Sequence, residues 1–454
     1  MNKRHIRKIG IMLTAIMLVA GCSNADVKKE TELETTPVEA PVENASNAEE
    51  TFIIDREAYT YSSDKLTIDL TLPVVKRNNQ VDRDGTRVLQ KPFRDEINRM
   101  MTDADYWAGR EEAFEPRSLT GDFEILYEDD LQVSILPEVN ENEWMTAVTL
   151  QKSAGLSLTY ENLPKTDQFW TVVNEEIEKL TLDPIDITSR EMVFDHYYIT
   201  QKDLVFTLPK WKVEDAGVQT VKVPLELLNM TQEDFLVSGS DVISIGSKQH
   251  VVSTPYYTFA GEIPVFESEK NPAFAKELAD LMDKQIVMNQ KVIEDDAKAV
   301  HESNKSDGFV FPPDIHNVQF DVKRNDSRYI SIYITYYSYT GGAHGTHYDL
   351  VYTFDLETQE RVELKDLFKA DADYVAVINE KIESQIQDIR EAAVEAGEEN
   401  WSPYDGFETI APDQHFYLTD DSLVVFFGLY EIAPYAAGIP MFEIPFAELE
   451  SVMK

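Results

Sequence analysis

His196-Tyr-Tyr-Ile-Thr-Gln-Lys-Asp-Leu-Val-Phe206 lines up with His415-Phe-Tyr-Leu-Thr-Asp-Asp-Ser-Leu-Val-Val425, with five of the eleven pairs identical. After a two-residue difference in length, Gly217-Val-Gln-Thr-Val-Lys-Val-Pro224 lines up with Gly438-Ile-Pro-Met-Phe-Glu-Ile-Pro445, and Leu228 with Leu449. Working outward, other short matches follow in the same order. Leu72-Pro73-Val74 parallels Ile263-Pro264-Val265, and a helix start from Phe93 to Met101 parallels Phe274 to Met282. Phe123-Glu-Ile parallels Phe320-Asp-Val, and Val133-Ser-Ile parallels Ile330-Ser-Ile. Val173-Asn174-Glu175 parallels Ile378-Asn379-Glu380. No single match is specific. Their constant order implies one unit present twice, and a period of ~200 residues indicates a domain duplication rather than a solenoid.

The local patterns are those of α+β units. Leu66, Ile68, Leu70 and Leu72 alternate with Thr67, Asp69 and Thr71, as do Ile330, Ile332, Ile334 and Tyr336 with their neighbours. Alternation with period two marks a half-buried strand. Phe274, Leu278, Leu281, Met282, Ile286 and Ile293 share one helical face, and so do Tyr374, Val377, Ile378, Ile382 and Ile386. Asn271-Pro272 reads as a helix start, with Asn as cap and Pro in the first turn. The expected fold is two tandem, diverged copies, 52–250 and 251–454, each with helices packed on one face of an antiparallel sheet. Residues Lys248 to Pro255 are expected to join them.

The chain carries 41 Lys and Arg against 83 Asp and Glu, a formal charge of −42. Phosphate binding needs clustered cations, and the visible cluster is confined to the first eight residues, so nucleic acid is not an expected partner. Those residues open a processing signal. Lys3, Arg4, Arg7 and Lys8 precede an apolar run from Ile9 to Ala20, too short for a membrane span, and Leu18-Val-Ala-Gly-Cys22 has the form of a bacterial lipobox. Cleavage of 1–21 and acylation of Cys22 are therefore expected. They give a lipid anchor on the extracytoplasmic face of the membrane. Losing 1–21 removes four cations and no acid, taking −42 to −46. Cys22 is the one cysteine, so the mature chain forms no internal disulfide. Residues 22–51 are acidic and rich in Thr and Pro, the composition of a disordered tether.

The densest chemical cluster is Tyr336-Tyr-Ser-Tyr-Thr-Gly-Gly-Ala-His-Gly-Thr-His-Tyr-Asp349. Gly341, Gly342 and Gly345 imply positive φ or close contact. Three readings stay open. His344, His347 and Asp349 could hold a metal, although zinc sites usually need further ligands. Tyr339, Gly341, Gly342, His344 and His347 could form a binding loop. Or the loop simply joins two strands, with His344 bonded to backbone. The equivalent region of the first half, Pro137 to Trp144, has neither the glycines nor the histidines. His196 and His415 read as structural histidines shared by both copies. Asp129-Asp130 and Asp420-Asp421 read as turns. There is no Gly-x-Ser-x-Gly, His-Glu-x-x-His, phosphate loop or Rossmann fingerprint, and no cofactor is expected.

Tyr339-Thr-Gly-Gly-Ala-His-Gly345, Tyr352-Thr-Phe-Asp-Leu-Glu-Thr358, Leu364-Lys-Asp-Leu-Phe368, Phe416 to Val425 and Tyr430 to Gly438 together resemble a bacterial extracytoplasmic module over about 250–454. The module is a pair of uncharacterised domains found in RsiV-type lysozyme-sensing anti-sigma factors and beside the catalytic domain of PdaC-type peptidoglycan deacetylases. The deacetylase motifs are missing, because Asp420-Asp421 is followed by Ser422 and there is no His-x-x-x-His. The resemblance implies a cell-envelope location, an α+β fold and recognition of a wall-associated ligand. The leading expectation is a non-enzymatic binding or sensing lipoprotein whose ligand is peptidoglycan or a cationic protein such as lysozyme. The alternative is a wall-modifying enzyme using the Gly341–His347 loop and His415. A purely structural envelope protein is not separated from the first.

Overall fold

A computed structural model of the chain describes residues 51–110, 114–140, 145–159, 162–164, 166–179, 197–207, 220–236, 242–306, 309–395 and 404–454. The signal segment, Cys22, nearly all of the tether, His196 and Gly217 lie outside the described residues.

The first sheet contains β1 (Phe52–Ser62), β2 (Leu66–Arg77), β3 (Gln80–Val81), β4 (Arg117–Glu128), β5 (Gln132–Val139), β6 (Val148–Gln151) and β7 (Leu156–Ser157). Its order is β1-β2-β4-β5-β6-β7, with β3 paired to β2. β2 and β4 are parallel, joined by helix α1 (Arg83–Ala108). The second sheet contains β11 (Ser244–Ser253), β12 (Tyr257–Glu267), β13 (Asp314–Asn325), β14 (Tyr329–Tyr339), β15 (Thr346–Asp355) and β16 (Glu360–Arg361), in that order. Here β12 and β13 are parallel, joined by α3 (Pro272–Ser306). Both sheets are therefore mixed rather than antiparallel. A long helix between consecutive strands returns the chain to the same end, which forces parallel pairing. Each sheet has a register shift on its fourth strand in chain order or its equivalent, at Ile125/Tyr127 on β4 and Val322/Arg324 on β13.

Each large sheet is followed by a helix and a three-stranded antiparallel sheet. α2 (Asp167–Glu178) precedes β8 (Tyr197–Ile199), β9 (Asp203–Thr207) and β10 (Thr220–Pro224). α4 (Tyr374–Glu395) precedes β17 (Phe416–Leu418), β18 (Ser422–Phe426) and β19 (Met441–Pro445). The registers correspond: Tyr197 faces Phe206 as Phe416 faces Val425, and Pro224 faces Asp203 as Pro445 faces Ser422. Asp420-Asp421 sits in the β17–β18 turn, and Asp129-Asp130 in the β4–β5 turn. Apolar side chains at helical spacing weld each helix to its small sheet. Val173 and Ile177 pack with Leu204 and Val221, and Ile378 and Ile382 pack with Leu423 and Ile444.

One element boundary is corrected. The helix expected near Phe93 begins ten residues earlier, at Arg83, capped by Asp82, whose Oδ1 accepts from the Gly85 amide at 3.0 Å. Pro92 lies inside it and forgoes one backbone donor. The stretch expected to join the halves is β11, and the expected boundary at 250/251 falls within that strand. β11 escaped notice because Ser247, Gln249 and His250 break the apolar alternation. Their partners are polar groups rather than a greasy core. The Ser247 hydroxyl donates to Glu262, and the Gln249 amide to Asn98 Oδ1 of α1.

α1 accounts for that polarity. Val88, Leu89, Phe93, Ile97, Met100 and Ala104 bury against Leu66, Ile68 and Leu70 of the first sheet. Arg87, Lys91, Arg94, Asn98 and Asp105 form a second stripe that meets the second sheet. Arg87 Nε donates to the Ile245 carbonyl and Arg94 Nε to Glu262 Oε1, each at 2.8 Å. Thr258 donates to Asp105 at 2.7 Å. The second sheet thus has α3 on one face and α1 on the other, where helices on one face only were expected. β12 is buried on both sides: Tyr257, Phe259 and Ile263 belong to the core with α3, while Glu262 meets α1.

Candidate functional site: the cleft beside helix α1

The register of the second sheet fixes which side chains share its α1-facing side. Asn317 of β13 stands opposite Tyr337 of β14, which stands opposite His347 of β15. The next row on that face is Gln319, Thr335 and Asp349, and the next is Asp321, Tyr333 and Val351. α1 covers the β11–β13 side. The small C-terminal sheet covers the other, where Tyr333 meets Tyr417 and Phe426 at ring separations of 5.6 and 5.4 Å. A cleft of about 600 Å³ remains. Its floor holds Ile315, Asn317, Gln319, Thr335 and Tyr337. Its α1 wall presents Asp95, Glu96, Arg99, Thr102 and Asp103, and Met145, Thr146 and Val148 of the first half also line it. The wall residues follow from helical spacing: 95, 99, 102 and 103 return to one face of α1.

The wall stays acidic, with each of its two cations shared between two carboxylates. Arg99 pairs with Glu96 and, at 2.9 Å, with Asp103. Lys91 pairs with Asp95 at 3.1 Å and reaches Asp321 at 3.4 Å. Burial pushes the Asp95 carboxyl up to about 6; Lys91 opposes the rise and Glu262 adds to it. Burial by itself lowers the Lys91 ammonium, but Asp321, Asp95 and Glu262 outweigh it and hold that group above its ordinary value. The floor is uncharged. Among the described residues, the Gln319 amide and the Tyr337 hydroxyl have no hydrogen-bond partner, and the Asn317 amide makes one long contact, 3.5 Å, to the Ala260 carbonyl.

The glycine loop joins β14 to β15 at the end of this face. Gly341 and Gly342 both have φ of +98°, are exposed, and have open space where a Cβ would stand. Gly345 serves differently: it is buried, and a Cβ there would overlap the Tyr337 ring. Two side chains hold that turn. His344 Nδ1 donates to the Gly345 carbonyl at 2.7 Å, and the Tyr435 hydroxyl donates to the same oxygen at 3.0 Å. The rings of His344 and Tyr435 stack at 4.0 Å. Tyr339 packs edge-on to Tyr106 of α1 and donates to the Gly342 carbonyl at 2.9 Å. His347 is half-buried on the sheet face opposite Tyr337.

Asp349 and His415 complete the neighbourhood. Burial raises the Asp349 carboxyl, with Thr335, Tyr333, His347 and His415 nearby opposing the rise in part, and among the described residues neither of its oxygens has a hydrogen-bond partner. His415 is exposed, with its ring edge-on to Phe426 at 5.4 Å. Among the described residues, no three His, Cys, Asp or Glu side chains converge as metal ligands. The cleft itself was not anticipated. The one local signal for it was the polar stripe of α1 at 95, 99, 102 and 103, which returns at helical spacing.

A mixed sheet with a helix across it and a glycine-rich β14–β15 loop is the setting in which the family resemblance falls. Residues 251–347 match the family described as "Deacetylase PdaC", and residues 365–447 match "Protein of unknown function (DUF3298)". Two Bacillus subtilis (strain 168) proteins are similar to parts of the chain. The anti-sigma-V factor RsiV is 35% identical over 105 residues, 22% of this chain and 36% of that protein. The peptidoglycan-N-acetylmuramic acid deacetylase PdaC is 21% identical over 201 residues, 44% of this chain and 39% of that protein. The chain therefore spans well under half the length of either relative. Two solved structures of DUF3298 proteins, from Bacteroides fragilis and Pseudomonas aeruginosa PAO1, are 17% and 16% identical, with TM-scores of 0.39 and 0.33. Each comparison covers 47% of this chain and 94% of the other. Among the described residues, no helix is long and apolar enough to cross a membrane.

Proposed function

We propose that the chain is a lipid-anchored binding protein on the extracytoplasmic face of a bacterial membrane, built from two diverged copies of one α+β unit. The duplication rests on the repeated order of elements and on the matching hairpin registers of the two small sheets. β11 belongs with the second copy, so the junction lies before Ser244. The anchor rests on the lipobox ending at Cys22. The matches to RsiV and PdaC support an envelope setting.

The observation that carries the binding reading is the open cleft with unspent donors and acceptors on its floor, Gln319 and Tyr337 above all. Ligand sites combine a preformed concavity with a few precisely placed polar groups. The loop favours positioning over chemistry, because both Gly345-directed groups, His344 and Tyr435, are already committed to backbone. The ligand is a wall component or a cationic envelope protein. Full-length protein in detergent micelles should be retained on purified cell-wall sacculi or on immobilised lysozyme. Loss of both at low salt overturns the proposal.

A further inference from the structure

We infer that the cleft takes a neutral saccharide chain, and that the glycine loop serves it by positioning Tyr337. The inference rests on the binding reading above and names the ligand class of that same site.

Two observations select the class. First, the two cations at the wall are already engaged, against four carboxylates, Asp95, Glu96, Asp103 and Asp321. Arg99 serves Glu96 and Asp103, and Lys91 serves Asp95. An anionic ligand would meet surplus carboxylates and cations already engaged, and a cationic one would have to compete with Arg99 and Lys91 for the pairs they make. Second, the floor offers two carboxamides, a hydroxyl and a phenol, and no charge. Carboxamides supply a donor and an acceptor side by side, which suits neighbouring hydroxyls or an acetamido group on a sugar. Tyr337 adds an amphipathic ring beside them, 38% exposed, that can lie against the C–H surface of a pyranose. The volume, about 600 Å³, lies in the ordinary range for a ligand site.

The loop enters through Gly345. Only a residue without a Cβ lets the Tyr337 ring lie where it does. His344 and Tyr435 hold the Gly345 carbonyl from two directions, so the turn cannot easily relax away from the ring. Gly345, His344 and Tyr435 are thus positioning residues for Tyr337.

The test is calorimetric titration of full-length protein in micelles with the β-1,4-linked tetramer of N-acetylglucosamine. Saturable binding that is insensitive to salt is expected. Tyr337→Ala should weaken it about tenfold, and Gln319→Ala by about three- to tenfold, the range of a lost hydrogen bond. Unchanged thermal melting of Gln319→Ala keeps the result independent of folding defects at Tyr337. Gly345→Ala should weaken binding as Tyr337→Ala does, without further loss in the double variant. Retention on sacculi or lysozyme with no tetramer binding, or tetramer binding equal in all variants, overturns this inference and leaves the binding reading standing. Lysozyme retention that is lost in Tyr337→Ala while the tetramer is ignored makes the cleft a protein-docking site and likewise overturns it. Loss of every interaction removes both.

Discussion

Replacing Glu262 by alanine tests whether the second sheet is held to α1 by a buried ion pair. Glu262 and Arg94 are only 1% and 8% exposed, and Arg94 Nε donates to Glu262 Oε1 at 2.8 Å. The other Glu262 oxygen accepts from the Ser247 hydroxyl at 3.0 Å, and Arg94 Nη2 donates to the Arg87 carbonyl at 2.8 Å. Removing the carboxylate strands a guanidinium among buried groups, and also orphans a hydroxyl. Breaking one side of such a pair costs roughly 3–5 kcal/mol. With a urea slope of at least ~3 kcal/mol/M for a chain of this size, the midpoint should fall by about 1 M. Urea denaturation followed by circular dichroism reads this directly. The paired variant Arg94→Met/Glu262→Leu removes both charges into a volume of similar shape, and should lie near wild type or above it. A cost under ~1 kcal/mol for Glu262→Ala, or a double variant as unstable as the single, would refute the assignment of that interface to a desolvated pair.

The other predictions concern titration, the loop and the anchor. Asp95 has a folded value of about 6 against an ordinary 3.8, so its proton favours the folded state. Wild type should therefore lose stability relative to Asp95→Asn as pH rises from about 4 to about 6, and a gap between their urea midpoints that shrinks over that range defeats the claim. His316 runs the opposite way. Burial holds it near 4, below its ordinary 6.5, so the fold should lose roughly 3 kcal/mol as pH falls through that window, and His316→Asn should lose much less. Gly345→Ala should destabilise by ~1–3 kcal/mol through overlap with Tyr337, with most of that recovered when Tyr337 is also made alanine; calorimetric melting with no recovery contradicts the contact. Cys22→Ala should release the protein from the membrane fraction, and persistence there by centrifugation argues against a lipid anchor.

Much of the fold was legible because it rests on local period. Leu66 to Leu72 and Ile330 to Tyr336 alternate as strands that bury one face, and they are strands. α3 opens at Pro272, with the proline in its first turn as the sequence implied. The glycines of the β14–β15 loop announced a backbone demand, met by positive φ at Gly341 and Gly342 and by close approach at Gly345. Where the reading stopped, the cause was a polar partner distant in sequence. β11 has no clean apolar alternation because Ser247 and Gln249 answer Glu262 and Asn98. Pro92 lies inside α1, where its neighbours Val88, Leu89 and Phe93 are buried against the first sheet and carry the helix through. The cleft joins Asp95 and Glu96 to Asn317 and Gln319, residues more than two hundred positions apart, so no local pattern could contain it.

That distance also explains why the cleft belongs to the second sheet. In the first half, α1 covers one side of its sheet, while Thr67 and Asp69 on the opposite side of β2 stay exposed. In the second half the corresponding helix is α3, packed behind β12 and β14. The side of the second sheet left over would be as open as that of the first, were it not for α1. One helix therefore serves two sheets, with an apolar stripe for its own and a charged stripe for its neighbour's. The cleft is the remainder of the sheet face that α1 and the small C-terminal sheet leave uncovered. The second half alone has no helix to supply the wall at Asp95, Glu96 and Arg99. The glycine loop fits the same logic. A turn that holds Tyr337 at a cleft is useful only in the half that has the cleft, and Pro137 to Asn140 in the first half carries no glycine and no histidine.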